Sequence, residues 1–180
     1  MQDWQRLQST VLNETRIFRL LEVLDQSPHT TKDHTFCVID SLHWVNLIPV
    51  TSQGEIVMVK QYRHGSQRVT LEIPGGMVDA GELPADAAKR ECLEETGHIV
   101  DKVASMGVLN PNPAVFNNEL HTFVGHVVGT EAKVHVSETE NTTVELVDIA
   151  LLKGYMLDGT IDHALVCATL WRFLDQWEAG

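Results

Sequence analysis

Glu91, Glu94 and Glu95 stand close together in the stretch Gly75–Gly97, which reads GGMVDAGELPADAAKRECLEETG. On a helix, Glu91 lies one turn from Glu94 and Glu95, so the carboxylates share a face. Like charges at this spacing repel and weaken the helix. A divalent cation removes that penalty. All-oxygen ligands suit a hard ion, Mg²⁺ or Mn²⁺, rather than Zn²⁺.

The flanking residues support a helix in that place. Pro84 suits a first helical position, where a missing N–H costs nothing. Ala85, Ala87, Ala88 and Leu93 are good helix formers, and Gly97 is a natural stop. Upstream, Pro74-Gly75-Gly76 lets the backbone approach a ligand, because glycine has no side chain to obstruct it. A carbonyl there becomes a candidate further metal ligand. Glu82 and Arg90 can pair and hold the loop against the helix, leaving the other carboxylates to the metal. An acidic surface helix after a glycine turn is the bland alternative.

This stretch resembles the Nudix box: glycine, five residues, glutamate, seven residues, then R-E-U-x-E-E-x-G-U, with U aliphatic. Gly76, Glu82, Arg90, Glu91, Glu94, Glu95 and Gly97 fill the fixed positions. Cys92 stands at one aliphatic position as a small apolar substitute, and His98 departs from the other. The family resemblance implies an α/β sandwich with a mixed sheet, with the box as a loop–helix–loop beside it. It also implies that Glu91 and Glu95 are the main metal ligands, with Glu94 assisting and the Gly75 carbonyl completing the site. Arg90 and Glu82 would keep the box in shape.

Further stretches resemble the ADP-ribose pyrophosphatase group of that family. Gln61-Tyr62-Arg63 is similar to its Q-x-R strand, and Glu72-Ile73-Pro74-Gly75-Gly76 to its E-x-P-[AG]-G turn. Pro113 stands where that group tends to carry a proline after the box. The surrounding Asn112–Asn118 departs from the group's S-P-G, which leaves room for other nucleoside diphosphate sugars. The N-terminal segment and Gly159–Asp162 are similar to the group as well. By resemblance the reaction is hydrolysis of a diphosphate linkage, giving a nucleoside monophosphate and a sugar phosphate. Metal ions would neutralise the phosphate oxygens and activate the attacking water. Arg63, Glu72 and Pro113 are the candidate substrate-binding residues, Arg63 by bidentate binding of phosphate. The general base in that group is a loop glutamate well after the box. Here the matching region is Ser137–Val144, with Glu140 the first choice and Glu138 the second. Catalytic candidates are therefore Glu140, Glu95, Glu91 and Arg90. The resemblance further implies a homodimer in which the N-terminal strands are exchanged.

The composition narrows the classes. A chain of 180 residues, 43% hydrophobic, suits a sizeable core. Residues 1–40 read as a strand extension and 41–180 as the main domain. The formal net charge of −12 argues against an extended nucleic-acid surface. Cys37, Cys92 and Cys167 are odd in number and widely spaced, which argues for a reducing compartment rather than a disulfide framework. There is no CxxC or HExxH for zinc, no apolar signal region and no run able to span a bilayer. A cytoplasmic enzyme without membrane partners is the expectation. His64, His98 and His121 are read as structural, because no histidine has a helical ligand partner. Trp4, Phe18, Trp44 and Phe116 can stack on a base, although core packing is the commoner role.

Along the chain, residues 4–25 alternate and predict one or two strands, with a helix over 16–24 as the alternative. Residues 26–33 form a polar loop. Strands are expected at 35–40, 44–49, 55–62, 70–73, 100–109, 119–128 and 143–149. Helices are expected at 151–157 and 163–178, the second capped by Asp162. Two other functions fit the motif: a nucleoside triphosphate pyrophosphohydrolase, and a non-catalytic nucleotide-sensing module. The second would be expected to have lost a box carboxylate, and this chain has lost none.

Overall fold

The computed structural model describes residues 3–131 and 142–178. They fall into two compact units, residues 3–43 with 110–119, and residues 44–109 with 120–131 and 142–178.

In the first unit, strands β1 (Gln5–Glu14), β2 (Phe18–Gln26) and β3 (Asp33–Ser41) form an antiparallel sheet in that order. The alternation over 4–25 is thus two strands, and the helical alternative is overturned. Thr15 shapes the turn between them. Its hydroxyl oxygen accepts from the N–H of Phe18 at 3.0 Å and its O–H donates to the Phe18 carbonyl at 2.8 Å. The segment Asn110–Glu119 joins this unit. Ile39 N–H donates to the Val115 carbonyl at 2.7 Å, and Asn117 Nδ2 donates to Asp40 Oδ1 at 2.6 Å. The Asn117 bond, helped by Arg19 and opposed by partial burial, holds the Asp40 carboxyl below its ordinary value. Pro113 belongs to this segment.

The second unit is built on a mixed sheet. Its path is β10 (Thr143–Asp148), β5 (Glu55–Arg63), β4 (Trp44–Val50), β9 (Leu120–Thr130) and β8 (His98–Leu109). Strand β6 (Arg68–Glu72) pairs with β5, and β7 (Gly75–Met77) with β4. Only the β4–β9 pair is parallel among these. Side chains of β4 alternate between two cores, as a strand buried on both faces must. Val45 and Leu47 pack with Ala87, Ala88 and Cys92 of α1 (Pro84–Thr96). Ile48 and Val50 pack with Leu152 of α2 (Ile149–Leu157) and with Val166, Leu170 and Phe173 of α3 (Ala164–Glu178). Helices thus cover both faces, giving the expected α/β/α sandwich. Among the described residues, no helix is long and apolar enough to cross a membrane.

Helix α1 has the expected limits. Pro84 opens it, and Gly97 closes it in the left-handed region (φ 72°), its N–H donating to the Leu93 carbonyl at 2.8 Å. Small residues on its buried face let it approach the sheet closely. Burial pushes the Cys92 thiol up to about 12. His98, which departs from the aliphatic pattern, opens β8 and contacts the Thr96 carbonyl through Nδ1 at 3.1 Å. One cap differs from expectation. The His163 carbonyl accepts from Cys167 N–H at 2.9 Å and its Nδ1 from Val166 N–H at 3.4 Å, so His163 caps α3. Asp162 instead pairs with Arg68.

Candidate active site

Beside its buried stripe of Ala87, Ala88 and Cys92, α1 carries Arg90, Glu91, Glu94 and Glu95. All four line one cleft of about 920 Å³, together with Gly75, Gly76, Gln61, Arg63 and Glu72. That volume lies within the usual range for ligand sites, about 300–1,000 Å³.

Strand β7 brings the glycines to this face. The sequence reads as a glycine turn here; the chain instead pairs Gly75 with Asn46 and Gly76 with Val45. A Cβ at Gly75 would strike the Val45 carbonyl, and one at Gly76 would strike the Glu91 carboxylate. At Gly75 the sheet backbone itself leaves no room for a side chain, whereas at Gly76 the obstacle is the movable end of Glu91. Gly75 N–H donates to Glu95 Oε2 at 3.1 Å, which ties the third carboxylate to the strand.

Arg90 is the hub of the acidic face. Its Nε and one terminal nitrogen donate to the two Glu82 oxygens, both at 2.9 Å. The same terminal nitrogen reaches the Met77 carbonyl at 3.1 Å. The other donates to Glu91 Oε1 at 2.8 Å and to Glu94 Oε2 at 3.2 Å. Hydrogen bonds to Glu82 raise the Arg90 pKa further, burial opposes, and Glu91 adds to the rise. Glu82 shows the converse: the Arg90 bonds hold its carboxyl low against partial burial, helped by the Asp79 N–H at 3.1 Å. The Glu82–Arg90 pair expected from the sequence is therefore present, and it also reaches two of the clustered carboxylates.

The donor set fits a hard divalent cation. Three carboxylates face one cleft beside a glycine strand that leaves room for them, and Arg90 offsets only part of their charge. There is no sulfur or imidazole among Glu91, Glu94, Glu95 and Gly75, which disfavours zinc.

The β5–β6 hairpin forms another part of the cleft wall. Arg63 grips Glu72 in a fork, Nε to Oε1 at 2.8 Å and a terminal nitrogen to Oε2 at 2.7 Å. The Glu72 side chain is only 2% exposed, and Thr70 donates to it at 2.6 Å. Burial alone would push this carboxyl up. The Arg63 and Thr70 hydrogen bonds and the Arg63 charge outweigh it, and the group sits below its ordinary value. The sequence points to Arg63 and Glu72 but not to their mutual pairing, nor to a place in the same cleft for Arg68, Asp162 and His163. The hairpin register that aligns Arg68 with Arg63 depends on a turn where Gln67 adopts φ 54°, and nothing in Gln67 announces that. Glu138 and Glu140 lie outside the described residues.

Comparison with known proteins agrees with this geometry. Residues 42–164 match the NUDIX domain. The ADP-ribose pyrophosphatase of Bacillus subtilis is 33% identical over 108 residues, 59% of this chain and 57% of that protein. A Caenorhabditis elegans protein whose name assigns it to the nudix hydrolases is 50% identical over 132 residues, 69% of this chain and 59% of that protein. The chain thus spans less than two thirds of the length of these relatives. A crystal structure of an ADP compounds hydrolase superposes with a TM-score of 0.86 at 17% identity, covering 99% of this chain and 96% of the other, a likeness of fold. With the family match running through both the glycine strand and the carboxylate helix, the chain belongs to the Nudix family.

Proposed function

We propose that this chain hydrolyses the diphosphate linkage of nucleoside diphosphate sugars, ADP-ribose or nucleoside diphosphate hexoses, to a nucleoside monophosphate and a sugar phosphate. The observation that carries this reading is one cleft lined by both the carboxylates of α1 and the guanidinium of Arg63. The name of the B. subtilis relative supports the substrate class.

Glu91 and Glu95, with Glu94 and the Gly75 carbonyl, would hold Mg²⁺ or Mn²⁺. When bound there, the ion supplies charge neutralisation of phosphate oxygens and a lower pKa for water. Arg90 keeps Glu91 and Glu94 on the cleft side of the helix and shares their charge. Arg63, oriented by the buried Glu72, presents a guanidinium to a phosphate. In this reading Glu72 acts through Arg63, and Pro113 keeps its role as a substrate contact. Glu140 accepts the proton of the attacking water, with Glu138 as the alternative.

The reading also includes a cytoplasmic homodimer that exchanges N-terminal strands. Every residue of β1 is exposed, including Leu7, Val11 and Leu12, and β1 is an edge strand of its sheet. An exposed apolar edge of that length calls for a cover.

A nucleotide panel with Mg²⁺, read by phosphatase-coupled phosphate release, tests the function. ADP-ribose and nucleoside diphosphate hexoses should give signal. Turnover confined to nucleoside triphosphates would instead identify a triphosphate pyrophosphohydrolase.

A further inference from the structure

Gln61 carries a donor that the protein itself does not use. Its Nε2 is buried and, among the described residues, has no hydrogen-bond partner. A buried unsatisfied donor costs about 1–3 kcal/mol, so such groups are rare and call for a reason.

The reason lies in its neighbours. Gln61 is the cross-strand partner of Thr70, and Arg63 is the partner of Arg68. Cross-strand partners share a face, and successive even steps along a strand return to it. Gln61, Arg63, Arg68, Thr70 and Glu72 are therefore on one face, and all five line the cleft. The acceptors on that face are already engaged. Glu72 takes both Arg63 donors and the Thr70 hydroxyl. Asp162 takes Arg68. The Thr70 hydroxyl also points at the Gln61 main-chain carbonyl, at 3.3 Å.

We infer that Gln61 is a substrate-binding residue whose Nε2 donates to a diphosphate oxygen of the bound nucleotide. Two arginines stand directly opposite each other beside it, Arg63 held by Glu72 and Arg68 by Asp162, so the group that meets this wall is one rich in acceptors. Arginine supplies charge; the neutral amide supplies direction. The free protein bears the cost of the orphan donor, and the ligand relieves it. This inference rests on the diphosphate reading above and adds a residue to it.

The test is Gln61→Met, which keeps the length and removes the donor, beside Gln61→Glu, which replaces the donor by a like charge. ADP-ribose is titrated calorimetrically in EDTA, its KM is measured with Mg²⁺, and the melting temperature of the ligand-free protein is recorded. Gln61→Met should weaken Kd and raise KM by about 10- to 100-fold, the size of one buried hydrogen bond. Its kcat should stay within a few-fold and its melting temperature should not fall. Gln61→Glu should weaken binding further. If either variant folds and binds within twofold of the wild type, Gln61 is not a substrate contact. A lower melting temperature with unchanged KM would assign Gln61 to structure and overturn the inference. Wild-type turnover beside unaltered variants sinks this inference alone, whereas a wild type that neither binds nor cleaves ADP-ribose or any nucleoside diphosphate hexose sinks the diphosphate reading with it.

Discussion

The carboxylate of Glu91 fills the space that a side chain on Gly76 would need. This contact joins strand β7 to helix α1 and sets how far the carboxylate face stands from the glycines. The neighbouring Gly75 is hemmed in differently, by the Val45 carbonyl and by Asn46. A carboxylate at the end of a side chain can give way; a sheet carbonyl cannot.

Two alanine substitutions should therefore part company. Gly76→Ala should leave the fold in place and displace Glu91, lowering kcat/KM by about 100-fold, since misplacement by about 1 Å has that effect. Gly75→Ala should chiefly lower the melting temperature by prising β7 from β4. Melting curves and kinetics on both variants check this, and equal effects of the two on stability would contradict it.

The Arg63–Glu72 pair makes a pH prediction. The Glu72 pKa is lowered from 4.5 in the folded protein. Its contribution to stability is thus fully present above 4.5 and is lost as pH falls through the lower folded value. Glu72→Gln should lower the melting temperature at about pH 7 and show a shallower fall below about pH 4.5. The two proteins should converge in strong acid. Parallel curves across the range would mean that Arg63 does not hold Glu72 ionised.

Much of this arrangement was legible in the sequence, because the carboxylate cluster, the proline and the closing glycine each carry a local physical signal. Helix α1 and the Glu82–Arg90 pair follow from those residues alone. Other parts depend on distant segments. Gly75-Gly76 reads as a loop, yet pairs as β7, since only the approach of β4 decides between the two. Asp162 looks like a cap, but Arg68 claims it and His163 caps instead. The orphan donor of Gln61 could not be read at all, because being unpaired is a property of the surroundings and not of the residue.

The base assignment is tested by a pair of variants. Glu140→Gln should reduce kcat by about a hundredfold or more with KM little changed, as befits a group that acts on the attacking water. Glu138→Gln is the companion. Loss in Glu138→Gln alone would move the role to Glu138, and full activity in both would remove the loop from the mechanism.

The assembly can be weighed directly. Light scattering at micromolar concentration should give the mass of a homodimer, and removal of residues 1–14, which include β1, should lower it. A monomer mass for the intact chain would rule out strand exchange.

The most direct measurement is product analysis of ADP-ribose by the EDTA-treated protein before and after Mg²⁺ is added. Without metal, AMP should not form. With Mg²⁺, AMP and ribose 5-phosphate should appear in equal amounts, and Glu95→Gln should lose several orders of magnitude in rate, since charge stabilisation at the metal is worth several kcal/mol. AMP released at full rate in metal-free buffer, or no nucleoside monophosphate from ADP-ribose or from any nucleoside diphosphate hexose with Mg²⁺ present, would contradict the assignment of the α1 carboxylates to diphosphate hydrolysis.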